Sequence, residues 1–283
     1  MLPLNQLGHT DIRVSSMGLG TVKFGRNQGL KHPIPFDLPS DEQIRRLLDC
    51  ARDFGVNLLD TAPAYGYSEE RLGDLLRKER KNWIISTKTG EEFTHDKFSD
   101  QGKSSFDFSP KHTRMSVERS LRRLRTDYLD IVLIHSDGND IEILERSGAL
   151  QMLGQLKQEG WIRAYGISTK TLAGGLAAAP LCDVLMPAFN INYTDEEGVI
   201  DEAARLGTGV LLKKVLASGH ICHDAPPEVA SHSAGENAAE KDPIQTALNF
   251  AYSKTGVTSA IIGTLNEHHL RDNLLKALRA HQQ

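Results

Sequence analysis

Short apolar runs rich in β-branched residues recur along the chain, each followed by a longer stretch with apolar residues every three or four positions. The runs fall at 15–21, 56–60, 83–88, 128–135, 161–168, 183–190, 209–214 and 257–263. A run that stays apolar, rather than alternating, reads as a strand covered on both faces. Strands of that kind alternating with helices imply a parallel sheet. The helical stretches carry start signals. Ser40 stands before Asp41-Glu42-Gln43 in a capping-box pattern, with Ile44, Leu47, Leu48 and Ala51 following at helical spacing. Ser109 and Asp242 each precede a proline suited to a first helical position. Thr194 with Glu197 reads as a second capping box. Asn266 reads as the cap of a last helix, with Leu270, Leu274, Leu275 and Leu278 on one face.

Eight strand-like runs and about eight helical stretches fill the 283 residues at even spacing. That is the arithmetic of a (β/α)8 TIM barrel, with residues 1–283 as a single domain. A doubly wound open sheet is the alternative, because alternation alone does not say whether a sheet closes. Residues 2–14, with a turn-like Gly8-His9-Thr10, are expected to form a short N-terminal β-hairpin plugging one end. Two segments, 91–109 and 219–241, break the rhythm. Both follow strands, which in a barrel puts them on the face where sites are built.

Composition narrows the classes. The net charge of −4 gives no basic field for nucleic acid or anionic lipid. No apolar run approaches the roughly 20 residues of a membrane span, and no leader pattern opens the chain. The cysteines, Cys50, Cys182 and Cys222, are odd in number and far apart, which suits free thiols in a reducing compartment. A cytoplasmic protein without nucleic-acid or membrane partners is the expectation.

The strand ends carry the candidate chemistry. Asp60, Lys88, His135, Ser168, Lys213 and Lys214 each stand at the end of an apolar run. In a closed barrel those ends form a ring and their side chains converge. Asp60 and Lys88 should pair, since either alone would be costly to bury. Tyr65 lies on the loop between them. A free tyrosine is a poor acid near neutrality, and a neighbouring ammonium and imidazole should lower its pKa. It could then give a proton to a carbonyl oxygen as charge develops there. No side chain supplies hydride, so this chemistry requires a nicotinamide cofactor. The chain has no phosphate loop of the GxxxxGKS type, and residues 18–25 lack the Rossmann spacing. Barrels instead hold phosphate with the loops after their last two strands and a helix N-terminus. Here those are 216–221 and 263–269, with Lys213, Lys214 and His269 adding positive charge.

At this point the sequence resembles the aldo-keto reductase family. LLDTAPAYG, STKTG, LIHSDG, GIST and IIGT…LRDNL occur in that family's order and spacing across essentially the whole chain. The resemblance implies a (β/α)8 barrel that reduces small-molecule aldehydes or ketones with NADPH, NADH being the alternative. It assigns Tyr65 as proton donor, Lys88 with Asp60 as the pair that tunes it, and His135 as the group that orients and polarises the carbonyl. Ser168 and Thr169 match positions holding the nicotinamide carboxamide, and Gly20 and Thr21 match contacts near its ribose. Leu216, Ser218 and Gly219 would cover the pyrophosphate. Thr264, His269, Asp272 and Asn273 match positions around the adenine and its ribose phosphate, with Gly263 in the phosphate-holding loop before them. Thr169 stands where the family commonly has Asn, Met186 where it has Gln, Lys213 or Lys214 where an aromatic ring stacks, and His269 where an arginine is frequent. The chain stops soon after its last helix, so Phe24, Phe36, Phe93, Phe106 and Phe108 are candidate substrate contacts. No metal site is expected, although His135-Ser136-Asp137 and His220-Ile221-Cys222-His223 contain ligand-type residues. A Schiff-base aldolase using Lys88, and a slow redox-sensing regulatory subunit, are the rival readings.

Overall fold

The computed structural model describes residues 1–30, 34–96, 101–223 and 242–282. The expectation for 219–241 falls outside the described residues beyond position 223. The strands are β1 Leu4–Gln6, β2 Arg13–Ser15, β3 Met17–Gly20, β4 Leu58–Asp60, β5 Ile84–Thr89, β6 Glu91–Thr94, β7 Lys103–Phe106, β8 Leu129–His135, β9 Ile162–Ser168, β10 Val184–Leu185, β11 Gly209–Leu212 and β12 Ser259–Ile262. Eight of them close into a barrel in the order β10-β11-β12-β3-β4-β5-β8-β9. Every barrel pairing is parallel. The open doubly wound alternative is thereby excluded.

The core has two parts. Between strands and outer helices lies a large apolar layer that includes Ile44, Leu47 and Ala51 of helix Asp41–Asp53 and Leu270, Leu274 and Ala277 of helix Glu267–Ala280. Inside the barrel, Leu58, Ile131, Leu133, Ala164, Val184, Met186 and Leu211 meet Leu7, Ile12 and Val14 of the N-terminal hairpin. That hairpin, β1 against β2, covers the end where strands begin, with Leu7 against Gly209 at the start of β11. At the end where strands finish, the described residues leave a cleft.

Local signals mostly act as expected. Ser40 and Gln43 form the full capping box. Ser109 accepts from the His112 amide, Asp242 from Ile244 and Gln245, and Asn266 from His268 and His269. Two expectations need correction. The helix after strand β10 begins at Glu197 with Glu196 at its cap, and no side chain caps it. Thr194 contributes only its carbonyl, which accepts from the Glu197 amide at 2.8 Å. The run at 183–190 is a continuous strand only over Val184–Leu185, with an isolated Ala188–Lys213 bridge beyond Pro187, which has no N–H to donate to the ladder. The irregular segment 91–109 turns out to hold a second antiparallel hairpin, β6 with β7, immediately beyond β5.

Candidate active site

Strand register brings the first group together. Asp60 pairs with Ser86 on the neighbouring strand, and Lys88 lies two positions further on the same face. Its ammonium reaches both carboxylate oxygens of Asp60, at 2.7 and 2.8 Å, and donates to the Thr61 carbonyl at 2.9 Å. Ser86 Oγ donates to Asp60 Oδ1 at 3.0 Å. The pair is only 2% and 4% exposed. Burial alone would lower the pKa of Lys88, but Asp60 and Tyr65 together outweigh it and hold Lys88 above its ordinary value. A neutral Lys88, as a Schiff-base enzyme requires, is therefore opposed by its own partner.

Tyr65 stands over this pair, with Lys88 Nζ 4.8 Å from its ring centroid. Its loop is locked by close backbone approach. Gly66 has φ +60°, and a Cβ there would sit 2.0 Å from the Gly25 carbonyl oxygen. A Cβ on Gly25 would in turn meet the Ser68 amide nitrogen at 2.2 Å. Only glycine fits either position, and the fit fixes where Tyr65 points. The expected lowering of its pKa does not hold. Burial pushes the Tyr65 phenol up, and the Lys88 ammonium pulls it down without overcoming that. Desolvation of a phenolate costs more than one neighbouring charge, already shared with Asp60, returns.

His135 ends β8, its ring edge-on to Tyr65 with centroids 6.1 Å apart. Its Nδ1 lies 2.8 Å from Glu91 Oε2, a close contact whose angle is too oblique for a well-directed hydrogen bond. Burial pulls the His135 imidazole below its ordinary value, against the pull of Glu91. Burial also works against ionising Glu91, but His135, the Ser104 hydroxyl at 2.6 Å and Arg26 bring its carboxyl down to about 2. Arg26 is itself fixed, stacked 3.4 Å over the Phe93 ring and donating to the carbonyls of Ala64, Gln28 and Gly29. Sequence reasoning missed Glu91 and Arg26. The available signal was position: Glu91 follows the Lys88 strand end by three residues, across Gly90.

A cleft of about 430 Å3 opens over this constellation. Of the residues expected around a cofactor, Gly20, Thr21, Asp60, Lys213, Leu216, Ser218, Gly219 and Gly263 line it, together with Tyr65 and His135. The loop after β11 is wound tightly there: Lys214, Ala217 and Ser218 all have left-handed backbone, with φ of 59°, 46° and 59°. Non-glycine residues adopt that conformation only when surroundings impose it. Lys213 donates to Ser168 Oγ at 2.9 Å and to the Thr169 carbonyl. Burial, with Lys214 and Lys170 nearby, draws Lys213 down to about 7 against the pull of Glu196 and Asp140.

Other expected residues lie differently. Met186 is buried in the barrel's apolar interior, not on the cleft wall. Thr169 spends its hydroxyl on Glu196 Oε1 at 2.6 Å, which is where the glutamate before the helix goes. Thr264 accepts from the Asn266 amide, and Asp272 pairs with Lys276 at 2.6 Å. His269 is exposed, whereas Asn273, one turn along the helix, is buried with Oδ1 lacking a hydrogen-bond partner. None of the five candidate phenylalanines lines the cleft. Phe24 is fully buried core, Phe93 carries Arg26, Lys23 sits 5.2 Å over Phe36, and Phe106 stacks near Phe108. Lys23, Arg26, Leu30 and Glu91 form the wall instead.

The closed parallel barrel gathers Asp60, Lys88, Tyr65 and His135 at the end where its strands finish, and comparison with known proteins gives the class. The aldo/keto reductase family model matches residues 16–280, and the chain belongs to that family. Members are oxidoreductases acting on carbonyl compounds and generally use nicotinamide cofactors. A crystal structure of an aldo-keto reductase from Pseudomonas aeruginosa superposes with a TM-score of 0.84 at 45% identity, covering 98% of this chain and 95% of that one. An oxidoreductase from Bacillus subtilis, YqkF, is 27% identical over 96% of this chain and 90% of its own length. L-galactose dehydrogenase from Arabidopsis thaliana is also 27% identical, over 96% and 87%. Among the described residues, no helix is long and apolar enough to cross a membrane.

Proposed function

We propose that the protein reduces aldehyde or ketone groups of small molecules to alcohols, with Tyr65 as the proton donor and NADPH as cofactor, NADH being the alternative. The observation that carries this reading is the buried Lys88–Asp60 pair beneath the Tyr65 ring. Tyr65, with its pKa above the ordinary value, is a neutral phenol near pH 7 and keeps the proton to be given. As negative charge develops on the carbonyl oxygen, Tyr65 Oη passes its proton there, and the Lys88 ammonium stabilises the phenolate left behind. Asp60 fixes that ammonium in place. A nicotinamide cofactor in this cleft supplies the hydride.

The residues present suit such a cofactor. The orphaned buried Oδ1 of Asn273 fits the exocyclic amine of an adenine. At the left-handed turn the Ala217 amide is spent on the Lys214 carbonyl, so the Ser218 amide is the one that would meet a pyrophosphate. Ser168 and Lys213 would hold the carboxamide, with Gly20 and Thr21 near the ribose. Gly263 would lie in the phosphate-holding loop, and Thr264, His269 and Asp272 would serve the adenine and its ribose phosphate. Met186 and the Thr169 hydroxyl have no part in this arrangement, one being inside the barrel and the other engaged by Glu196.

The test is a titration with NADPH and, separately, NADH, followed by absorbance at the nicotinamide band after an activated aromatic aldehyde is added. Binding with oxidation is expected. Tyr65→Phe should bind the cofactor equally well while losing roughly 10²–10⁴-fold in kcat. Failure of both nucleotides to bind, or undiminished turnover in Tyr65→Phe, would overturn the reading. Tight binding with very slow turnover across varied carbonyls would favour a redox sensor.

A further inference from the structure

We infer that Glu91 is a positioning residue that holds His135 in its Nδ1–H form, so that Nε2 faces the reacting oxygen as a hydrogen-bond acceptor. The inference rests on the reading of His135 as part of the reacting end of the cleft, but its geometry stands apart from any cofactor.

The contact decides where the ring carries its proton. Glu91 Oε2 lies 2.8 Å from His135 Nδ1. The angle is oblique, but a bare Nδ1 would still place two acceptor atoms 2.8 Å apart in a buried site, where they repel, whereas a proton on Nδ1 is attracted by the anion. The carboxylate is held as well as the ring. Ser104 of β7 donates to its other oxygen at 2.6 Å, and Arg26 Nη1 lies 3.6 Å from that same oxygen. The acid is thus braced from the facing hairpin strand and from the segment after β3. The charged and titratable groups facing the imidazole are Glu91 from β6, Lys88 from β5, Lys213 from β11 and Tyr65 from the loop after β4. Both lysines and burial oppose a positive ring, and Glu91 alone favours one. Near neutrality the ring therefore holds one proton, on the side of the anion. Among the described residues no protein atom bonds Nε2, and His135 lines the cleft.

This changes the division of labour expected from the resemblance. A bare Nε2 does not donate to a carbonyl. It accepts from a hydroxyl. In reduction, Tyr65 Oη alone protonates the carbonyl oxygen, and the alcohol so formed can donate its new hydroxyl proton in a hydrogen bond to Nε2. In oxidation the same contact orients the incoming alcohol.

The experiment is nitrogen NMR on protein labelled with 15N-histidine at pH 8, with the His135 signal identified by its loss in His135→Gln. The wild-type ring is expected to be protonated at Nδ1 and bare at Nε2. Glu91→Ala should move the proton to Nε2. Glu91→Gln, whose amide oxygen can still accept, should keep it at Nδ1 while the ring's titration midpoint falls by about one pH unit or more, since an opposite charge has been removed. A wild-type ring protonated at Nε2, or an unchanged tautomer in Glu91→Ala, would overturn the inference. Should Glu91→Ala not fold, a midpoint in Glu91→Gln equal to that of wild type overturns it instead. These spectra need no cofactor or substrate, so they stand or fall separately from the reductase reading.

Discussion

The barrel buries a carboxylate at each of its ends, and the two are completed in opposite ways. Where strands begin, Asp130 accepts from Arg80 at 2.8 Å, from Arg163 at 2.7 Å and from the Ile85 amide at 3.0 Å. Arg80 continues into the Trp83 and Tyr128 carbonyls, and Arg163 into Asp11. Asp130 itself is spent entirely on these partners, while Arg80 and Tyr128 also line a surface cleft and Asp11 reaches solvent. Where strands finish, Asp60 and Lys88 are as well buried and as closely paired, but the side chains next to them, Tyr65 and His135, turn to a cleft. The same ingredient staples the barrel at one end and, in the proposed reaction, arms a proton donor at the other. The difference lies in what adjoins the pair, not in the pair.

Breaking each pair should show this directly. Lys88→Met leaves Asp60 buried without its cation, and Asp130→Ala leaves Arg80 buried without its anion. Either loss should cost about 3–5 kcal/mol in denaturant unfolding. Only Lys88→Met should also cut kcat for carbonyl reduction, by roughly 10²-fold or more, because the phenolate formed on Tyr65 loses its cation. Asp130→Ala protein that remains folded should keep kcat/KM within about twofold. An equal loss of kcat in both variants would mean that the strand-end pair acts only as a staple, and the comparison would fail.

That contrast also marks how far sequence alone reaches. Asp60, Lys88 and His135 were legible because each interrupts an apolar run at its end, and closure of a barrel makes such ends neighbours. Tyr65 was legible from the loop between two of them. Glu91 was not, because the segment after it has no hydrophobic period and a hairpin there depends on partners along the chain, Glu91 opposite Phe106. The loop phenylalanines misled for a related reason. An aromatic residue in a polar stretch fits a pocket wall or a local packing contact equally well, and Phe24 proves to be core. The Thr194–Glu197 capping box misplaced a helix start that Glu196, drawn inward to Thr169 and the Ala188 amide, decides. The direction of the Tyr65 shift also needed the structure, since only burial could be weighed against the ammonium.

The raised phenol sharpens the comparison by pH. Reduction uses the protonated phenol, so kcat/KM for the aldehyde should stay level from about pH 7 to 9 as far as Tyr65 governs it. Alcohol oxidation uses the phenolate, whose fraction rises tenfold per pH unit below the pKa. Since burial holds that pKa above its ordinary value, the oxidation rate should still be climbing at pH 9.5. A plateau below pH 8.5 would show that the lysine dominates after all, and that the strand-end charges are more strongly felt in the cleft than their pairing suggests.

The smallest expected effect lies furthest from both pairs. His269 is exposed at the start of the last helix and, among the described residues, its side chain has no protein partner. It belongs neither to a staple nor to the buried proton site. A charge there meets solvent on one side and, in the cofactor reading, the adenosine end of a nucleotide on the other. A neutral imidazole gives little to a 2′-phosphate at pH 7, whereas a guanidinium gives a permanent charge and a forked set of donors. His269→Arg should therefore raise the NADPH/NADH ratio of kcat/KM by about 5- to 10-fold, as expected for about 1 kcal/mol at an exposed charge pair. The gain should shrink as salt rises, while the Lys88→Met defect should not, because that pair is shielded from ions. An unchanged cofactor ratio in His269→Arg would place the ribose phosphate elsewhere, and a salt-sensitive Lys88→Met defect would mean the buried pair is reached by solvent.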